Sequence, residues 1–183
     1  MTLAQRVELF GGYVGTGLAG LMHIDTLNMS GADVVSDGGF ETQDVPLSGV
    51  QSPYLTEGPG TKLVGEWGMP GRAVELADEN QGTWNAVTQV VTVRPGTYRL
   101  HADIASSGNF SVGYMGVRNT SGSILAETSY SVDPLYHERE VYFTVGGPTD
   151  VQLRLFVGYW SGFETSSWSN TVVDNIGLEE VTF

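Results

Sequence analysis

A two-residue alternation of apolar and polar side chains recurs along most of this chain and constrains its fold more than any other feature. TYRLHADIA (97–105) places Tyr, Leu, Ala and Ile on one side of an extended backbone and Arg, His and Asp on the other. REVYFTV (139–145) and DVQLRLFVGYW (150–160) follow the same rule. A period of two residues is that of a half-buried β-strand. Turn sequences such as RPGTY and VGGPTD separate these segments.

Six further segments complete the pattern, so the sequence predicts about nine strands. They are TKLVGEW (61–67), RAVELA (72–77), NAVTQVVTV (85–93), NFSVGYMGV (109–117), GSILAETSY (122–130) and NTVVDNIGLEEV (170–181). In NFSVGYMGV the alternation places Phe110, Val112 and Tyr114 on one face and Ser111 and Met115 on the other. Many short strands with turns rich in Gly, Pro, Asn and Asp predict an all-β sandwich.

The first 33 residues do not share this pattern. LFGGYVGTGLAGLMHI (9–24) is apolar but contains five glycines, each costing a helix about 1 kcal/mol relative to alanine. It is shorter than the roughly 20 apolar residues of a membrane span, and it lacks the basic and compact apolar regions of a secretory signal. We therefore expect residues 1–33 to form an extended arm, either an assembly contact that docks on a neighbouring subunit or a linker, and residues 34–183 to form the sandwich.

Net charge and cysteine content exclude several function classes. The formal net charge of −13 opposes binding to nucleic acid and to anionic membrane surfaces, because both require a positively charged protein surface. The chain has no cysteine, so disulfides, thiolate catalysis and thiolate metal sites are all excluded.

Four stretches in order resemble one family of sandwiches. They are VVSDGGFET (34–42), TWNAVTQVVTVRPGTYRLHADIA (83–105), VQLRLFV (151–157) and NTVVDNIGLEEV (170–181). Together they resemble the galactose-binding-like jelly-roll carbohydrate-binding modules that accompany xylanases and glucanases. The resemblance covers Val34 to Phe183. It implies a jelly-roll β-sandwich, and it says less about function because one fold hosts many functions.

The same resemblance implies a structural calcium ion. In that family, calcium is commonly held where the first and last strands meet, by acidic residues of the opening and closing motifs and by backbone carbonyls. The corresponding residues are Glu41 and Asp174, with Asp37 as a further candidate. Calcium takes six to eight hard oxygen ligands, so such a mixed set suits it. The alternative is that these carboxylates only make turn hydrogen bonds at strand ends.

Motifs of catalysis are missing from the sequence. The three histidines do not have HExxH spacing, and neither a GxSxG nor a P-loop sequence occurs. The close pairs Glu138/Glu140 and Glu179/Glu180 are near neighbours on single strands, whereas glycoside hydrolysis needs carboxylates opposed across a cleft. We therefore expect a protein that is not an enzyme.

Aromatic residues instead favour binding of a polysaccharide or a cell-surface glycan. Sugars present apolar C–H faces that stack on flat rings, while polar side chains take their hydroxyl groups. The candidate glycan-binding residues are Trp84, Trp160, Trp67, Tyr114, Arg99 and Arg154. If the strands of Arg99 and Arg154 are adjacent, the two arginines would share a polar floor. The alternative is that many aromatic residues, including Trp168, only fill the core or cover its edges.

Two settings suit such a protein. The missing secretory signal and the glycine-rich arm favour a non-catalytic bacteriophage virion protein, either a capsid decoration protein or a tail component. It would assemble in the host cytoplasm as a homo-oligomer and contact other shell subunits through residues 1–33. The alternative is the extracellular glycan-binding module of a secreted polysaccharide-degrading enzyme.

Overall fold

The computed structural model describes residues 8–9, 22–23, 28–29, 33–44, 49–68, 70–78, 82–108, 112–147, 150–161 and 168–182. In this part of the chain the fold is an all-β jelly-roll sandwich of ten strands, accompanied by three strands of two residues each. No helix occurs among the described residues, so none there is long and apolar enough to cross a membrane.

All nine predicted strands are confirmed, and the structure adds one. The ten strands are β4 (Leu55–Glu57), β5 (Thr61–Gly68), β6 (Gly71–Asp78), β7 (Thr83–Val93), β8 (Gly96–Gly108), β9 (Val112–Asn119), β10 (Ile124–Tyr130), β11 (Asp133–Val145), β12 (Val151–Ser161) and β13 (Ser169–Thr182). Strand β4 was not predicted, because a strand of three residues is too short to show an alternation.

The strands form two antiparallel sheets. One has five strands in the order β10, β9, β12, β7 and β4. The other has the order β11, β8, β13, β6 and β5, with the short β3 (Asn28–Met29) paired beside β13. Their inner faces enclose one hydrophobic core, to which the longer strands of both sheets, such as β8 and β12, contribute alternate residues.

The predicted alternation matches the observed burial in β8 and β12. Leu100 and Ile104 of β8 are buried in the core, as are Leu153 and Leu155 of β12. Strand β9 shows which of its two faces points inward. Its core residues are Met115 and Val117, and Tyr114 lies on the outer face of the sheet. Both faces of β9 carry apolar side chains, so the alternation alone does not identify the inner one.

The opening motif (34–42) lies along one edge of β13, between Val173, where the pairing with β6 ends, and Val181, where the pairing with β3 begins. The Ile176 N–H donates to the Gly38 carbonyl at 2.9 Å, and the Val34 N–H donates to the Leu178 carbonyl at 3.2 Å. A β-bulge between Asp174 and Gly177 accompanies this change of partner. The start of the sandwich is therefore tied to its end.

Most of the predicted arm lies outside the described residues. Two short strands, β1 (Glu8–Leu9) and β2 (Met22–His23), pair with each other, and β3 pairs with Val181 and Thr182 of β13. Asn28 and Met29 of the arm therefore lie beside the sandwich of their own chain. Docking of the arm on another subunit stays a prediction.

Candidate functional site

The outer face of the five-stranded sheet carries a concave depression of about 500 Å³, called the trough below. Its lining is mostly apolar and aromatic and consists of Trp84, Val112, Tyr114, Arg118, Ile124, Glu127, Phe156 and Trp160. Such a volume lies within the range of about 300–1,000 Å³ that is typical of ligand sites.

Strand register brings the aromatic rings together. Trp84 of β7 and Trp160 of β12 are direct cross-strand partners, so their side chains leave the sheet side by side on the outer face. The Trp84 ring centroid lies 6.4 Å from that of Tyr114 and 6.1 Å from that of Phe156. Trp160 is 41% exposed, which leaves much of its ring available to a ligand.

Two small buried residues lie beside these rings on the outer side of the sheet. Ala86 and Gly158 are cross-strand partners at the level next to Trp84 and Trp160, and Gly158 also pairs with Tyr114 of β9. Because neither Ala nor Gly projects far from the sheet, the larger side chains around them can cover both residues. The lining of the trough therefore comes from the aromatic and polar side chains of three neighbouring strands.

Glu57 of the short strand β4 connects three of the residues in and beside the trough. Its Oε2 accepts a hydrogen bond from Trp84 Nε1 at 3.2 Å. Its Oε1 accepts from Arg154 Nη1 at 3.4 Å and from Arg118 Nη2. One carboxylate therefore fixes an indole ring and two guanidinium groups at once.

Arg118 combines a stacking contact with an unusual electrostatic position. Its guanidinium carbon lies 5.4 Å from the centroid of the Phe156 ring, a cation–π geometry. It is also the cross-strand partner of Arg154. Burial lowers the pKa of the Arg118 guanidinium, and the positive charge of Arg154 lowers it further. Glu57 lies between the two arginines and compensates their repulsion.

The structure brings four of the six predicted glycan-binding residues together. Trp84, Trp160 and Tyr114 line the trough, and Arg154 adjoins it through Glu57. Arg99 lies in the other sheet, because β8 and β12 belong to different sheets. The polar floor expected from Arg99 and Arg154 therefore does not form. Sequence reasoning did not identify Phe156, Arg118 and Glu57 as site residues, although Phe156 is an aromatic residue at an outward position.

Arg99 belongs to an ion-pair network on the outer face of the six-stranded sheet. Its Nε lies 2.6 Å from Glu140 Oε2, its Nη1 lies 3.7 Å from Glu179 Oε2, and its Nη2 contacts Glu138. Although burial favours the neutral form, the carboxylates of Glu140 and Glu138 raise the pKa of Arg99. The positive charge of Arg99 is thus already compensated within its own sheet.

Trp67 lies at the end of β5, also in the six-stranded sheet. It is half-buried, and its carbonyl accepts a hydrogen bond from the Tyr136 hydroxyl at 2.7 Å. A Cβ atom at Gly65 would lie 2.8 Å from the Trp67 ring, so this ring covers the backbone of its own strand. Trp67 therefore has a packing role away from the trough.

The two main calcium candidates converge on one pair of glycines. Gly68 and Gly71 are cross-strand partners in the β5–β6 hairpin. A Cβ atom at Gly68 would lie 2.7 Å from Asp174 Oδ2, and one at Gly71 would lie 1.9 Å from Glu41 Oε1. The missing side chains thus make room for two carboxylates, which are ligands that calcium accepts. Glu41 and Asp174 therefore fit the ion that the resemblance implies.

Asp37 is occupied by its own loop. Its carboxylate accepts hydrogen bonds from the Thr42 N–H at 2.9 Å and from the Gln43 amide at 2.9 Å. Glu41 Oε1 also accepts the Arg72 N–H at 2.8 Å. Among the described residues, no group of three or more His, Asp or Glu side chains forms a metal-binding cluster. A calcium ion here would therefore complete its shell with backbone carbonyls and water.

Comparison with solved structures finds the same fold in carbohydrate-binding modules. TmCBM61 in complex with β-1,4-galactotriose has a TM-score of 0.59 at 14% identity, covering 82% of this chain and 99% of its own. The CBM22-1 xylan-binding domain of Paenibacillus barcinonensis Xyn10C has a TM-score of 0.55 at 10% identity, covering 85% and 99%. No protein-family profile and no curated protein sequence matches the chain.

One similar structure comes from a bacteriophage. The enzymatically active domain of tailspike protein 4 from bacteriophage CBA120 has a TM-score of 0.59 at 14% identity. The match covers 82% of this chain but only 21% of the tailspike chain. At such identities the likeness establishes the fold alone, which is the galactose-binding-like jelly roll that the sequence resemblance implies.

Proposed function

We propose that this protein binds a polysaccharide or a cell-surface glycan in the trough and catalyses no reaction there. The observation that carries the proposal is the cross-strand pair Trp84 and Trp160, with Tyr114 and Phe156 beside it on an outward sheet face. A sandwich needs apolar residues on its inner faces only, so an aromatic outer face calls for a ligand. Flat rings suit the C–H faces of pyranose sugars.

The polar groups of the trough support a binding role. The oxygens of Glu57 accept hydrogen bonds from Trp84, Arg118 and Arg154, so this carboxylate holds other side chains in place. Glu127 also faces the trough and offers an acceptor for sugar hydroxyl groups. The site thus combines stacking surfaces with a few fixed polar groups, as ligand sites commonly do.

Retention on insoluble polysaccharides tests this proposal. Trp84→Ala and Trp160→Ala should each weaken binding about tenfold, since losing one stacked ring costs on the order of 1.4 kcal/mol. Arg154→Gln tests the arginine that adjoins the trough. Its matched control is Arg99→Gln, which removes an arginine from the opposite sheet. Circular dichroism should stay β-rich in every variant. Absence of any ligand on a broad glycan array at millimolar concentrations would refute the proposal.

For the biological setting, we propose a virion surface protein, either a capsid decoration protein or a tail component. Two observations support it, namely the likeness to a bacteriophage tailspike domain and the glycine-rich arm. In this proposal the protein assembles in the host cytoplasm as a homo-oligomer, and residues 1–33 contact other shell subunits. Isolation of a trimer or a lattice component from the untagged chain would support this setting.

The second candidate setting is a glycan-binding module of a secreted polysaccharide-degrading enzyme. It is favoured by the likeness to the xylan-binding domain of Xyn10C, of which 99% is covered. Under this alternative the untagged chain should be a monomer, and residues 1–33 should act as a linker. The oligomeric state therefore separates the two settings, and glycan binding in the trough is common to both.

We also propose that Glu41 and Asp174 hold a structural calcium ion. The converging carboxylates at the Gly68–Gly71 pair support this assignment. The ion would tie the opening loop to the last strand and the β5–β6 hairpin, and it would stabilise the fold without contacting the trough.

A further inference from the structure

A second concave site lies on the opposite sheet. It has a volume of about 370 Å³ and is formed where β5 begins, β6 ends and β13 begins. We call it the Trp168 cleft, and its main side chains are Trp168, Glu75, Asn170, Ala77 and Asp78. None of these residues contributes to the trough.

The register of β6 and β13 explains why these side chains meet. Asn170 and Ala77 are cross-strand partners, and Ser169 pairs with Asp78 at the next position. The next cross-strand pair, Leu76 and Thr171, points into the core. The neighbouring residues Glu75, Ala77 and Asn170 therefore lie on the outer face. Asn170 Nδ2 donates a hydrogen bond to Glu75 Oε1. This bond holds an amide and a carboxylate together beside the cleft.

Trp168 is the most exposed of the four tryptophans. Its side chain is 53% exposed, compared with 41% for Trp160, whereas Trp67 and Trp84 are half-buried. Exposure of a large flat ring at the mouth of a concave site marks a place where a ligand would bury apolar surface.

The chemistry of the cleft narrows the class of ligand. An anionic ligand would be repelled by Glu75 and Asp78 and by the net charge of −13. A purely apolar ligand would leave the Glu75–Asn170 pair without water and without new partners, which is costly. A neutral ligand with one apolar face and several hydroxyl groups satisfies both the indole ring and the amide–carboxylate pair. Sugars have this combination.

We propose that the Trp168 cleft is a second sugar-binding site, so that one chain binds two glycans on opposite outer faces. This goes beyond the proposed function, because binding in the cleft does not require binding in the trough. The two sites lie at the same end of the sandwich. Thr83 at the start of β7 is hydrogen-bonded to Asp78 at the end of β6, and its Oγ1 lies 3.2 Å from Ser161 Oγ at the end of β12. A bivalent chain would cross-link polysaccharide strands.

The four indole N–H signals of the full-length ¹⁵N-labelled chain provide the test. Trp84 and Trp160 report on the trough, Trp168 on the cleft, and Trp67 is an internal control. Each signal is assigned with a Trp→Phe variant. The probes are β-1,4-galactotriose, xylotriose and cellotriose, each titrated to millimolar concentrations. We expect a saturable shift of the Trp168 signal by at least one of them, with little change at Trp67.

Two variants connect the shift to the cleft. Asn170→Ala removes the partner of Glu75, and Ala77→Phe fills the cleft without removing a polar group. Each should weaken binding at Trp168 about tenfold, which corresponds to 1.4 kcal/mol, and should leave the affinity at Trp84 and Trp160 within about twofold. If Asn170→Ala fails to fold, Ala77→Phe alone is sufficient for the comparison.

The outcomes separate this proposal from the proposed function. Shifts at Trp84 and Trp160 without a shift at Trp168 would overturn the second site and leave the trough proposal standing. A shift at Trp168 alone would support the second site and contradict the trough. A shift of Trp168 caused by calcium chloride and by none of the sugars would identify a cation site and overturn the proposal, as would the absence of any shift.

Discussion

Replacement of Glu57 by glutamine tests whether the rings of the trough are held in place by one carboxylate. The substitution keeps an oxygen that can accept the Trp84 N–H, but it removes the negative charge between Arg118 and Arg154. We expect glycan affinity to fall about tenfold, because the loss of preorganised side chains weakens binding without removing any contact surface.

The expected loss of stability follows from the exposure of the three side chains. Glu57 is 23% exposed and Arg118 is 18% exposed, so their charge-assisted hydrogen bond contributes about 1.5–3 kcal/mol. Arg154 is 37% exposed, so its longer contact with Glu57 is screened by solvent and contributes about 0–1 kcal/mol. A net loss of about 2 kcal/mol would lower Tm by roughly 4–8 °C in a chain of this length.

Thermal unfolding and glycan retention are measured in parallel with a matched control. Glu138→Gln removes a carboxylate that contacts Arg99 in the opposite sheet. It should lower Tm by a similar or smaller amount and leave glycan retention unchanged. If Glu57→Gln and Glu138→Gln retain glycan equally well, Glu57 has only a structural role and the reasoning is refuted.

Four further outcomes follow from the structure. A chelator should lower Tm if Glu41 and Asp174 bind calcium, since a ligand of the native state stabilises it by mass action. The double variant Glu41→Gln, Asp174→Asn should no longer respond to the chelator. If the Tm of the wild-type protein does not change, the calcium proposal is refuted. Deletion of residues 1–31 should leave a soluble monomeric sandwich of similar Tm that no longer assembles, whereas unfolding would show that the arm belongs to the core. Burial, together with the nearby carboxylates Asp174 and Asp103, raises the pKa of Tyr136 to about 12. The stability that the neutral Tyr136 hydroxyl contributes should therefore be complete below a pH of about 10 and lost as the pH rises through 12. Ultraviolet titration of Tyr136→Phe against the wild-type protein checks the direction of this pKa shift. Gly38→Ala should lower Tm by several degrees, because its Cβ would lie 2.0 Å from the Ile176 carbonyl oxygen.

The strands could be predicted from sequence because alternation is a local property. Each of the nine segments carries enough residues to show a period of two, and each overlaps a strand of the structure. Strand β4 has only three residues, yet it supplies Glu57. A side chain that connects residues of the trough was thus missed, because its strand is defined by pairing with β7 rather than by its own pattern.

Assignment of strands to sheets could not be predicted in the same way. Arg99 and Arg154 both occupy outward positions of their strands, and the alternation treats them alike. They lie on opposite sides of the molecule because β8 and β12 belong to different sheets. Alternation shows which side of its strand a residue faces. Which residues meet in one site depends on the order of the strands in the sheets, and that order is set by long-range pairing.

The two outer faces differ in a way that bears on function. On the six-stranded sheet, the middle of the outer face is ionic, with Arg99 paired to Glu138 and Glu140, as expected for a solvated surface. On the five-stranded sheet, the outer face carries Trp160, which is 41% exposed, and Phe156, which is buried beneath neighbouring side chains. Neither belongs to the hydrophobic core between the sheets. A departure from the rule that outward residues are polar requires a compensating gain, and the proposed ligand binding would supply one. The same reasoning applies to Trp168, whose exposed ring lies at one end of the six-stranded sheet.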